Sequence, residues 1–111
     1  MKVEVQMSDL RIYQELCKQS RFIWTQHCLQ RMQERDISRN DVKNGINTGE
    51  IIEDYPDDFP NQSCLIWGYT LKNKILHIVA GCDNIIVYMI TAYYPDIRKF
   101  KNNFKTRRGR S

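Results

Sequence analysis

The sequence predicts an α+β domain in which two to three amino-terminal helices pack on one face of a mainly antiparallel, roughly four-stranded sheet. Three observations lead there. Apolar residues recur with helical period up to Gly49 and alternate with period two beyond it. Turn-forming clusters such as PDDFPN (56–61) and KNK (72–74) divide the second half into short extended segments. With 111 residues, 41% of them hydrophobic and 27% charged, the chain has material for one modest core and not for two. Helices followed by consecutive strands give a layered fold. Residues 1–111 therefore read as a single domain, with a helical extension at 1–20 and a basic tail at 98–111.

Each element has its own signal. DLRIYQELCKQ (9–19) sets Leu10, Tyr13, Leu16 and Cys17 on one helical face, with Ser8 in position to cap it. FIWTQHCLQRMQERDIS (22–38) carries the second helix, capped by Thr25, with Trp24, Cys28, Leu29 and Met32 as its buried stripe. Ser38 and Asp41 form a capping-box-like start for a third, short helix that points Val42 and Ile46 inward and ends at Gly49. EIIEDY (50–55), SCLIWGYTL (63–71), ILHIVAGC (75–82) and the segment around IIVYMITAYY (85–94) are strands. Asp83-Asn84 fits a two-residue hairpin loop, since both residues tolerate positive φ. Pro95 ends the last strand, after which Phe100 and Phe104 share a short helical face at i and i+4.

Charge and cysteine content narrow the function. The net charge of +4 is uneven: residues 95–111 hold seven Lys/Arg against one acid, while residues 1–94 hold ten against twelve. A basic end of this kind suits phosphate contact or an acidic partner. The longest apolar run is far shorter than the ~20 residues of a membrane span. The start, MKVEVQMSDL, has no apolar signal region, so a cytoplasmic protein without membrane contact is expected. Cys17, Cys28, Cys64 and Cys82 lack metal-ligand spacing and read as reduced, buried thiols, with no metal or cofactor expected. There is no glycine-rich phosphate loop, GxSxG elbow or HExxH motif.

The candidate chemical groups are therefore few. His27, Arg31 and Arg35 recur every four residues and span about 80° at the margin of the second helix's buried face. There their side chains can line a cleft, or pair with Glu34, Glu50 or Glu53 across the helix–sheet boundary. His77 lies inside the third predicted strand, and imidazole is the side chain best matched to proton transfer near neutral pH. In the last strand, alternation puts Tyr88, Ala92 and Tyr94 on one face and Thr91 and Tyr93 on the other. Such groups suffice for metal-free RNA cleavage, in which a 2′-hydroxyl attacks the adjacent phosphate with help from a base, an acid and cations. They equally suffice for a binding module.

The stretches WTQHCLQRMQERDIS (24–38), DVKNGINTGEIIEDYPDD (41–58), LHIV (76–79) and MITAYYPD (89–96) resemble the bacterial domain-of-unknown-function family 4258, small proteins allied to the RelE/ParE-like toxins. Family members typically have a small residue such as Ala where this chain has Cys28 and Gly where it has Asp36. The resemblance implies a RelE/ParE-like fold and a toxin-like endoribonuclease acting on mRNA, free or on the ribosome, with an antitoxin over the active face. His77 or His27 would be the acid or base and Arg31 and Arg35 would hold the phosphate. Tyr93 would position a base, and Arg107 and Arg108 would add phosphate affinity. The alternative is a non-catalytic protein-interaction module of the same fold.

Overall fold

The computed structural model describes residues 7–96, 98–101 and 103–107. Three helices, α1 (Leu10–Lys18), α2 (Gln26–Glu34) and α3 (Arg39–Thr48), cover one face of a five-stranded sheet. The strands are β1 (Phe22–Trp24), β2 (Glu50–Tyr55), β3 (Ser63–Tyr69), β4 (Ile75–Cys82) and β5 (Val87–Tyr93), in the order β1-β5-β4-β3-β2. Strands β2 to β5 form an antiparallel meander, and β1 pairs in parallel with β5.

The fifth strand is the main departure from the sequence-based expectation. Phe22–Trp24 does not open the second helix but adds a short parallel edge, so Trp24 packs on the core from β1. Two bulky aromatics flanking Ile23 favour extended backbone, and Thr25 stops the strand by capping α2, accepting from the Cys28 N–H at 3.0 Å. The cap of α1 is Asp9 rather than Ser8, whose hydroxyl instead donates to Asp54. Ser38 and Asp41 make the expected reciprocal capping box on α3.

The end of α2 explains one of the sequence's oddities. Asp36 takes a left-handed φ of 55°, and the Ile37 N–H donates to the Met32 carbonyl at 2.9 Å, closing a Schellman turn that drives Ile37 into the core. Glycine is the residue best suited to that conformation, and Asp tolerates it at some cost. Asp36→Gly is therefore expected to stabilise the protein by about 0.5–1 kcal/mol, read as a higher urea midpoint. An unchanged or lower midpoint would refute the strain at this position.

The core lies between helices and sheet, where Cys64, Ile66, Leu76, Ile78, Ala80, Val87, Met89 and Ala92 meet Tyr13, Cys28, Met32, Val42 and Ile46. The four cysteines are free, with Cys17 half-buried and the rest buried. Burial pushes the Cys17 and Cys28 thiols up to about 11. A bulge at Ile90 interrupts the β4–β5 ladder: Tyr88 pairs with Gly81, whereas Ala92 pairs with Ile78. The extra residue changes the parity, so Tyr88 and Ala92 lie on opposite faces instead of sharing one.

Loops and tail also differ from expectation. Strand β3 stops at Tyr69, leaving 70–74 as the turn, and the last hairpin loop runs over 83–86 with Asn84 at φ 70°. Among its described residues, the tail forms no helix over Phe100 and Phe104. It folds back on itself, with Phe100 bridged to Arg107 and Lys101 N–H donating to the Thr106 carbonyl at 2.7 Å. It lies against the sheet face that the helices leave free, and Phe100 is buried there.

Candidate functional site

The face opposite the helices presents Trp67 on β3, His77 on β4 and Tyr93 on β5, which are cross-strand neighbours in one row. His77 reaches it because strand alternation sends Leu76 and Ile78 into the core and the residue between them outward. The tail then seals the imidazole, leaving it 0% exposed. Its Nε2 lies 2.6 Å from the Phe104 carbonyl oxygen, which can only accept, so Nε2 carries a proton. In the neutral ring Nδ1 is then the acceptor, facing the Tyr93 hydroxyl across a long 3.4 Å contact. The Phe100 ring stands edge-on, with centroids 4.6 Å apart.

Burial holds the His77 pKa below its ordinary 6.5, against the opposing pull of the Phe104 carbonyl and of Glu53. A protein whose folded histidine is harder to protonate than its unfolded one loses stability as pH falls below about 6.5. The full contribution of the neutral ring is present above that pH. The urea midpoint is expected to decline between about pH 6.5 and 5, more steeply than in His77→Gln. Equal slopes in the two proteins would contradict this. Carboxylates held low, such as Asp41, act only at more acidic pH.

Beside this row, a cleft of about 410 Å³ is lined by Arg35, Tyr93, Tyr94, Asp96, Lys99, Phe100 and Arg107. Arg35 closes α2 and turns towards the sheet, where its Nη1 donates to the Ala92 carbonyl at 3.1 Å. The Arg107 Nε meets Glu53 Oε2 at 2.5 Å, and Tyr55 donates its hydroxyl to the same carboxylate. Burial pushes the Glu53 carboxyl up, but these two bonds outweigh it and hold the group below its usual range. Burial raises the Tyr93 phenol, which therefore stays protonated at neutral pH. Of the three cations that line the cleft, Arg107 is paired with Glu53, and the one lining carboxylate, Asp96, is bound by Arg98 at 2.9 Å, so the excess positive charge comes from Arg35 and Lys99.

Of the sequence candidates, the structure brings Arg35, Tyr93 and Arg107 to one cleft, with His77 behind Tyr93. It does not bring His27 and Arg31. His27 is exposed in the first turn of α2, and Arg31 pairs with Glu34 at 3.0 Å. The helical row diverges because Arg35 is the cap residue, where the backbone leaves helical geometry. Glu50 and Glu53, expected as partners for α2, pair instead with Lys105 and Arg107 of the tail. Arg108 lies outside the described residues. Lys99, Tyr94 and the Glu53–Tyr55 pair were not singled out by the sequence. The basic tail was the one available signal, and Glu53 was expected to pair with α2 rather than with the tail.

Among the described residues, no three of His, Cys, Asp and Glu gather as a metal site would require, and no helix is long and apolar enough to cross a membrane. Comparison with curated proteins and with solved structures returns no match. A family model described as "Domain of unknown function (DUF4258)" matches residues 24–94. That span holds Arg35, Glu53, His77 and Tyr93 and stops before Lys99, Phe100 and Arg107. With well over half of its length matched, the chain belongs to the DUF4258 family.

Proposed function

We propose that the protein is a toxin-like, metal-independent endoribonuclease of RelE/ParE-like kinship, acting on mRNA in the cytoplasm and held in check by an antitoxin. The observation that carries this reading is the electropositive cleft in which Arg35, Lys99 and Arg107 surround a protonated tyrosine backed by a neutral imidazole. A phosphodiester suits such a cleft, because guanidinium groups match phosphate oxygens and stabilise the charge of a pentacoordinate intermediate. The 2′-hydroxyl proton passes to the Tyr93 oxygen as the Tyr93 proton passes to His77 Nδ1. The 2′-oxygen then bonds to phosphorus, and the 5′-oxygen leaves with a proton from water. His77 works through Tyr93 in this conformation, and the resulting imidazolium donates from Nδ1 to the Tyr93 oxygen and still donates from Nε2 to the Phe104 carbonyl.

An end-labelled mRNA incubated with the protein in EDTA, alone and with ribosomes, tests this. Cleavage leaving 2′,3′-cyclic phosphate ends is expected. Three phosphate contacts would give a slope of log affinity against log salt of about −2 for single-stranded RNA. A second reading, a non-catalytic interaction module, is favoured by the complete burial of His77. RNA left intact in every setting would select it.

A further inference from the structure

The burial of His77 depends on a short stretch of chain. Its two closest non-strand partners, the Phe100 ring and the Phe104 carbonyl, both belong to residues 100–107. Apart from Phe100, the described residues of this strap are half-buried or exposed. What pins them is largely electrostatic. Lys105 reaches Glu50 at 2.5 Å and lies 4.2 Å from the centre of the Trp67 ring. Arg107 reaches Glu53, and the Trp67 Nε1–H donates to the Asn103 carbonyl at 3.1 Å. The sheet thus offers two carboxylates from an edge strand and an aromatic face, which is chemistry suited to a basic segment. The Lys105–Glu50 pair is wet, with side chains 38% and 52% exposed, and such pairs are weak and screened by salt. A polyanion offers the same cations many more negative charges than two carboxylates do.

We propose that the outer sheet face at Glu50, Glu53 and Trp67 is a docking surface for a basic segment, filled in cis by residues 100–107. RNA lifts this strap by drawing Lys105 and Arg107 onto its phosphates, and His77 is thereby uncovered. The RNA step rests on the function proposed above, whereas the docking of the strap does not. The closed form leaves the imidazole reachable only through the Tyr93 hydroxyl, and loading of a polyanion both uncovers the ring and leaves Arg107 beside a phosphate.

The protein has only two histidines, and His27 is exposed, which makes His27 an internal reference for chemical modification. The full chain is treated with diethyl pyrocarbonate at pH 7 and each histidine is followed by mass spectrometry. The probe is a 2′-O-methyl oligouridylate, which is a polyanion that cannot be cleaved by 2′-hydroxyl attack. Without it, His77 is expected to react far more slowly than His27. With it, the His77 rate relative to His27 should rise at least tenfold, and Glu50→Lys/Glu53→Lys should raise it without any probe. Binding of the oligonucleotide, seen by fluorescence anisotropy, with His77 as protected as before overturns the strap proposal. So does a cooperatively folded double variant whose His77 stays slow. If that variant does not fold, the wild-type arm decides alone. Failure of the oligonucleotide to bind at all counts against the RNA-directed function, and the double variant then tests the docking of the strap by itself.

Discussion

Gly68→Ala is expected to abolish cooperative folding. Gly68 lies on β3 where α3 crosses the sheet, and a β-carbon there would sit 2.0 Å from the Gly45 carbonyl oxygen and 2.7 Å from the Gly45 Cα. Both are backbone atoms of a helix, so no rotamer change relieves the clash. The helix would have to withdraw from a sheet on which Val42 and Ile46 are fully packed. Overpacking that cannot relax costs about 3 kcal/mol or more, a large share of the ~5–15 kcal/mol that holds a small domain together. The converse substitution is a control. Gly45→Ala points at the Cδ1 tip of Ile78, 2.7 Å away, which can rotate, so a loss of about 1–2 kcal/mol is expected. Urea unfolding followed by near-ultraviolet circular dichroism measures both. A Gly68→Ala protein with an unshifted midpoint would show that α3 is not seated on β3 as described.

Tyr93→Phe is expected to slow RNA cleavage by about 10²-fold or more while leaving the fold intact. The substitution removes one oxygen, whose contact with His77 is long, and keeps the ring that packs at 5.3 Å from the imidazole. Stability should therefore stay within about 0.5 kcal/mol, as for changes that create no cavity. Affinity for RNA should hardly move, because the cations and the stacking surface persist. Arg35→Ala should show the opposite split, with weaker binding and a shallower salt dependence. Single-turnover cleavage and anisotropy titrations separate the two effects. A Tyr93→Phe protein that cleaves at the unmodified rate would remove the tyrosine–histidine relay from consideration.

The sequence foretold most of the regular elements for simple reasons. The Ser38–Asp41 box, the stop at Gly49, β2 at EIIEDY and β4 at ILHIVAGC each rest on local chemistry, either capping or short apolar, β-branched runs bounded by turn residues. Local chemistry failed where a distant partner decided the outcome. Phe22–Trp24 has a local preference for extended backbone, but three residues make a strand only because β5 is there to pair with them. The face assignment of Tyr88 failed because one bulge inverts every later position, and bulges leave little trace in composition. Phe100 was legible as apolar, but its partner His77 lies 23 positions away.

For the candidate site the division is similar. The basic tail, the two histidines and the tyrosine-bearing last strand could be read from composition and alternation. Residue spacing on α2 could not separate Arg35 from His27 and Arg31. All three share one helical stripe, and only the change of backbone at the helix end turns Arg35 towards the Ala92 carbonyl. Short-range signals sufficed for most of the regular elements and for the inventory of chemical groups, since both depend on neighbours a few residues apart. Tertiary structure alone decided that Arg35, Tyr93, Lys99 and Arg107 meet in one cleft and that His77 lies sealed beneath the tail. Arg35 and His77 meet partners far away in the chain, and those contacts exist only after the sheet has set its strand order and register.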